Sequence, residues 1–138
     1  MRTTQKQPKL RFLFAALAIA ALATRPVLLL AEADGKWLHS VPEKDRARTN
    51  PVATQSDAIA AGENLFEENC ARCHGKDANG KHNRPSLRSE RVRNATDGEL
   101  AWILKNGNPY KNMPTWGSLP EQQRWQIIAY IRSLPQQP

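Results

Sequence analysis

The chain has 138 residues, with 20 Lys and Arg against 13 Asp and Glu and a formal net charge of +7. One domain is the default at this length. Residues 1–33 hold five basic groups and one acidic, which leaves residues 34–138 with 15 basic and 12 acidic, a net of +3 that gives no ground for a nucleic-acid partner.

The N-terminus reads as an export signal. Arg2, Lys6, Lys9 and Arg11 form a basic n-region, and Phe12 to Ala23 is an apolar run of 12 residues, within the usual h-region range. Two small-x-small sites follow, Ala21-Leu22-Ala23 and Ala31-Glu32-Ala33. The second is preferred, because Val27 to Leu30 makes an odd mature terminus. The alternative is an uncleaved membrane anchor: residues 12–31 span 20 residues, about a membrane helix in length. Thr24-Arg25-Pro26 argues against it, with a charge and a helix breaker inside the span. The expected organisation is a signal peptide at 1–33, an extended polar lead-in at 34–56 and one domain at 57–138.

The lead-in contains Pro42, Pro51 and the charged run Glu43 to Arg48, with no sustained period. Trp37 either packs on the domain or does nothing. Ser56 is a good N-cap for a helix on which Ile59, Gly62, Phe66 and Cys70 share one face. Gly62 weakens a helix, so its presence points to a close helix crossing.

Next comes Cys70-Ala71-Arg72-Cys73-His74, the C-x-x-C-H pattern that attaches a c-type haem. The two cysteines are spaced to form thioethers with the two vinyl groups. His74 follows directly, placed to bind the iron as proximal ligand. Three rivals stand beside this reading. A thioredoxin-like pair needs a βαβ context, and none is visible. A zinc site needs further ligands, and there is no second Cys pair. A structural disulfide over so short a loop closes little chain entropy.

Gly75 ends the helix, and Lys76 to Asn83 form a polar loop. In Arg84-Pro85-Ser86-Leu87, Pro85 offers a carbonyl that can accept the Nδ1–H of the proximal histidine and fix its tautomer; a plain loop proline is the alternative. Leu87 is expected to pack on the haem. His82 and His39 are weak competitors for the iron, and His82 is read as solvent-exposed.

Thr96-Asp97-Gly98-Glu99 is a capping box. Its helix carries Leu100, Ile103 and Leu104 on one face, expected to cover the haem, and stops at Asn106-Gly107. Trp102 is a core or rim residue. Met113 is the only methionine besides Met1 and sits in a loop with Pro109 and Pro114. A lone methionine is usually a core filler. With a haem in place it is the sixth ligand by elimination and position, and a thioether there raises the reduction potential relative to a second histidine. Trp116 either hydrogen-bonds a propionate or packs. Ser118-Leu119-Pro120-Glu121 reads as a second capping box with Pro120 in the first turn. The last helix runs to about Leu134 with Ile127, Ile131 and Leu134 on one face, partner to the Ile59–Phe66 face.

Charge is uneven along the chain: net −3 over residues 34–71, +5 over 72–111 and +1 over 112–138. The basic segment is the one expected to surround the haem, where it would steer an acidic partner more than it would add affinity.

These residues resemble class I cytochromes c, most closely the bacterial single-haem domains that serve terminal oxidases and periplasmic dehydrogenases. The resemblance rests on Gly62 to Gly75, on residues 84–87, 99–107 and 113–116, and on the last helix; it covers roughly residues 57–134 in the family's order. It implies an all-α cytochrome c fold of three to four short helices around one haem c, bound covalently through Cys70 and Cys73. It further implies His74 and Met113 as axial ligands, with Pro85, Leu87 and Trp116 around the cofactor. The implied function is electron transfer without a catalysed reaction, in a periplasmic chain. Partners would be a terminal oxidase, a cytochrome bc1-type complex or a periplasmic dehydrogenase, with membrane association through residues 12–31 and no nucleic acid. The alternatives are a peroxidase-type haem enzyme, which needs Met113 absent or labile, and a fixed electron-entry subunit of an oxidase or dehydrogenase. One departure is Arg84, where the family often has glycine.

Overall fold

The computed structural model describes residues 40–135. The export segment, its cleavage sites, Trp37 and His39 lie outside them. Six α-helices follow one another: α1 (Glu43–Arg46), α2 (Ser56–Asn69), α3 (Ala71–His74), α4 (Glu90–Asn94), α5 (Asp97–Asn106) and α6 (Glu121–Ser133). A 3₁₀ turn, Pro109–Lys111, lies between α5 and α6. The described residues contain no strand, only an isolated antiparallel bridge between Asn108 and Met113. No described helix is long and apolar enough to cross a membrane.

The crossing of α2 and α6 is the centre of the fold. Gly62 makes it close: a Cβ there would lie 2.0 Å from the carbonyl oxygen of Gln126 on α6. Without a side chain, the backbone of α2 approaches the other helix directly. Around this contact Phe66, Ile127 and Ile128 are the largest fully buried side chains. The rings of Phe66 and Tyr130 stand 5.3 Å apart at 50°. Burial of each such side chain contributes roughly 1.5–3 kcal/mol, which is what joins two segments so distant in sequence.

Helix starts differ from the expected ones in two places. Ser56 is the first helical residue of α2, and the N-cap position is Gln55, with no side-chain cap bond. The expected box at Ser118–Glu121 does not form either. Pro120 occupies the N-cap of α6 at φ −49° and ψ 144°, and no side chain caps the helix. Instead Arg124, one turn into α6, donates to the carbonyls of Gly117 and Leu119. The box at Thr96 is complete: Glu99 N donates to Thr96 Oγ1 at 3.1 Å, and Thr96 N donates to Glu99 Oε2 at 2.7 Å.

The described part of the segment read as an extended lead-in, residues 40–56, folds against the domain. Pro42 starts α1, its carbonyl accepting from Asp45 N and Arg46 N. Arg46 Nη1 then donates to the buried Glu99 at 2.5 Å. Arg48 stacks on Trp125 at 5.0 Å and pairs with Glu121 at 2.5 Å. Asn50 is buried, its Nδ2 donating to the Trp125 carbonyl and its Oδ1 accepting from Val52 N, both at 2.9 Å. The short helix α4 was not expected from sequence. Arg132 of α6 holds its C-terminal end, donating to the carbonyls of Val92, Arg93 and Ala95 and to Asp97 Oδ1.

Candidate functional site

The site starts where the first long helix gives way to a short one. α2 ends at Asn69, and Cys70, still in the right-handed helical region at φ −113° and ψ −36°, joins it to α3 at Ala71. The chain stays wound across the junction: Cys70 N donates to Phe66 O at 2.8 Å, and Cys70 O accepts from Cys73 N at 3.1 Å and His74 N at 3.0 Å. Gly75, at φ 80°, then ends α3. This short turn presents Cys70, Cys73 and His74 together to one cavity.

The cavity has a volume of about 1040 Å³. All seven residues singled out from sequence line it: Cys70, Cys73, His74, Pro85, Leu87, Met113 and Trp116. Its remaining walls are mainly apolar, from Leu100, Ile103 and Leu104 of α5 and Ile127, Ile128 and Ile131 of α6. The α5 face was expected there. The isoleucines of α6 were assigned only to the helix crossing, and they serve both purposes. Ile127 and Ile128 differ by one residue, so the stripe is wide enough to meet α2 and the cavity at once.

His74 is buried, and its Nδ1 lies 3.0 Å from the carbonyl oxygen of Pro85. That carbonyl accepts the Nδ1 proton and leaves Nε2 as the lone-pair nitrogen. The Pro85 loop is held in turn by Gly80 N donating to His74 O and Leu87 N donating to Ala78 O, both at 2.8 Å. His82 is exposed, with φ 57°, and stands at the rim of the same cavity.

Met113 closes a small loop. Asn108 N donates to Met113 O and Met113 N donates to Asn108 O, both at 2.9 Å. Gly107, at φ 71°, makes the turn into it; a Cβ there would lie 2.6 Å from the Met113 carbonyl oxygen. Beyond Met113, Trp116 N donates to Leu104 O at 2.8 Å and Thr115 Oγ1 to Lys105 O at 2.5 Å, which anchor the loop to α5. Asn108 was not foreseen as a cavity residue, since Asn106 to Pro109 signals only a helix stop.

Cys70 and Cys73 are free thiols. Burial, and secondarily the neighbouring Cys73, push the Cys70 thiol up to about 11. That is opposite to the lowered value of a redox-active C-x-x-C pair. Among the described residues no group of three or more His, Cys, Asp or Glu converges as a metal site, which leaves the zinc reading without ligands.

The donor set and the walls fit a haem. The cavity brings two thiols, one imidazole with a free nitrogen and one thioether against apolar walls. Asn108 Oδ1 is buried on the wall without a hydrogen-bond partner, a polar atom facing a group other than the chain's own. Arg72, Arg84, Arg91 and Lys111 line the cavity together with the acidic Glu68 and Glu90.

An all-α fold whose terminal helices cross beside such a cavity is that of a class I c-type cytochrome domain, and its cofactor is a covalently bound haem c. A family described as "Cytochrome C oxidase, cbb3-type, subunit III" matches residues 57–131, and the chain belongs to it. The chain is 34% identical to the cbb3-type cytochrome c oxidase subunit FixP of Sinorhizobium medicae (strain WSM419), over 61% of this chain and 32% of that subunit. It is 30% identical to the cbb3-type cytochrome c oxidase subunit CcoP of Rubrivivax gelatinosus, over 86% of this chain and 45% of that subunit. The chain thus spans less than half the length of these curated relatives. Among solved structures, cytochrome cL from the marine methylotroph Methylophaga aminisulfidivorans MPT is similar with a TM-score of 0.55 and 32% identity, over 62% of this chain and 58% of that one.

Proposed function

We propose that this chain transfers electrons through a haem c with His74 and Met113 as axial ligands, and that it transforms no substrate. The observation that carries the reading is the convergence of Cys70, Cys73, His74 and Met113 on one apolar-walled cavity. Bound haem supplies one-electron chemistry, its iron cycling between Fe(III) and Fe(II). The chain does the rest. Cys70 and Cys73 hold the group by thioether bonds. Pro85 O keeps the His74 proton on Nδ1, so that Nε2 faces the metal. The Asn108–Met113 bridge holds the thioether in place. Leu87, Trp116 and the α5 and α6 side chains exclude water, which favours the less charged, reduced centre. Were His74 and Met113 both to bind the iron, no site would remain for oxygen or peroxide, which favours a carrier over a peroxidase-type enzyme.

The partner is a terminal oxidase, and the chain acts on the periplasmic side of the membrane. The names of the two curated relatives support the oxidase partner, since both are oxidase subunits, and the basic, apolar N-terminus read as an export signal supports the periplasmic side. The names also favour a fixed relay within an oxidase assembly over a diffusing carrier. The basic side chains at the cavity rim are suited to steering toward an acidic face.

The test is the spectrum of the haem-loaded protein. It should be low-spin with a sulfur-to-iron charge-transfer band, and Met113→Ala should abolish the band and lower the reduction potential. A high-spin ferric spectrum at neutral pH in the unsubstituted protein would overturn the reading in favour of an open iron. Oxidation of the ferrous protein by a purified terminal oxidase checks the partner, and failure to be oxidised removes it.

A further inference from the structure

Arg84 belongs to the loop that carries Pro85, yet its side chain ends on a different loop. Its Nη1 donates to Lys111 O at 2.6 Å and to Asn112 O at 3.3 Å. Those are the two residues before Met113. The backbone of Arg84 is itself held, its N donating to Lys81 O at 3.0 Å. The next carbonyl along, that of Pro85, is the one that accepts from His74 Nδ1. One side chain therefore joins the loop that orients His74 to the loop that ends in Met113.

The Met113 loop has need of such a tie. Pro109 to Asn112 are all exposed, Tyr110 to 91%. The segment is bonded to itself by Lys111 N to Asn108 O at 3.1 Å and Asn112 N to Pro109 O at 3.2 Å. Asn112 sits at φ 51°, in the left-handed region that a side chain adopts at a cost. A segment with few buried apolar contacts opens locally at low free energy. Bonds from a guanidinium are of the stronger, charge-assisted kind.

We infer that Arg84 is a positioning residue for Met113, a strap that keeps the thioether loop closed over the metal and fixed relative to the His74 side. The inference rests on the proposed His74/Met113 ligation. Arg84 touches neither proposed ligand; it acts through Lys111 and Asn112.

Imidazole titration of the haem-loaded full chain tests it, because added imidazole competes with the thioether for iron only when the loop opens. Arg84→Ala should bind imidazole about tenfold more tightly, the factor expected for loss of one charge-assisted hydrogen bond. Haem content should be unchanged. Arg84→Lys keeps a donor of similar reach and should recover most of the protection. Arg88→Ala serves as control: Arg88 donates to Pro135 O and Asn79 Oδ1, away from the Met113 loop, and its loss should leave imidazole binding unchanged. If Arg84→Ala binds imidazole no more tightly than the unsubstituted protein while the sulfur-to-iron band is present in both, the strap is wrong and the ligation stands. If the unsubstituted protein lacks that band, the ligation fails and the strap falls with it.

Discussion

The Nδ1 of His74 lies 3.0 Å from the carbonyl oxygen of Pro85, eleven residues further along the chain. The acceptor is a backbone atom, so it persists whatever residue stands at position 85. Proline contributes something else, a φ angle fixed in advance. Pro85→Ala should therefore leave the His74 tautomer and the spectrum of the loaded protein as they are, while lowering stability by about 0.5–1 kcal/mol through the freer unfolded chain. Denaturant unfolding with the visible spectrum as a parallel readout checks both halves. A changed axial spectrum would mean that the ring itself packs against the histidine.

At the helix crossing, Gly62→Ala puts a methyl group 2.0 Å from Gln126 O and 3.0 Å from Tyr130 Cβ. Alanine is the better helix former by about 1 kcal/mol. The backbone oxygen cannot turn aside as a flexible side chain would, so α2 and α6 must separate. The expected net effect is a loss of about 1–3 kcal/mol, as for overpacked cores. Thermal unfolding of the loaded protein measures it; a more stable variant would show that the two helices slide at no cost.

Arg132 binds three carbonyls at the C-terminal end of α4, those of Val92, Arg93 and Ala95, together with Asp97 Oδ1 at 2.9 Å. Arg132→Ala leaves these acceptors to water and should cost about 2–3 kcal/mol. A lysine is a point donor and cannot span the set. Arg132→Lys should consequently recover less than half of the loss in a denaturation series.

Glu121 titrates below its ordinary value of 4.5, chiefly because its carboxylate accepts a hydrogen bond from Arg48, with burial opposing and the charge of Arg48 adding. A carboxylate whose value is lower in the folded protein adds stability above its unfolded value, and loses it as pH falls through the folded one. The pair is largely exposed, so the effect is small and screened by salt. Unfolding midpoints of the unsubstituted protein and Glu121→Gln should differ at neutral pH and low ionic strength, then converge as the pH drops below about 4.5. A gap that stays constant in acid would count against the pair.

Motif residues and helix periodicity were readable because they depend on local spacing. Cys70, Cys73, His74 and Met113 meet at one cavity, the Thr96 box forms in full, and α6 packs on α2 as its partner, through Tyr130 on Phe66. What sequence did not convey depends on partners far along the chain. α1 has no apolar period, and its place is set by Arg46 on Glu99 and Asn50 on the Trp125 carbonyl. The Ser118 box fails because α6 starts at Glu121 with Pro120 at the cap position, where there is no side-chain acceptor. α4 is too short for a period to show, and Arg132 holds its far end from forty residues away. Arg84 looked like a departure from a pattern, and only the fold shows which carbonyls it reaches.

The cavity has a bearing on the stability of the folded chain. Leu100, Ile103 and Leu104 of α5 and Ile127, Ile128 and Ile131 of α6 all line this space of about 1040 Å³. Domains of this size are stable by only about 5–15 kcal/mol. The prosthetic group thus completes an apolar core that α5 and α6 already share with Phe66, and the loaded chain should be more stable than the empty one.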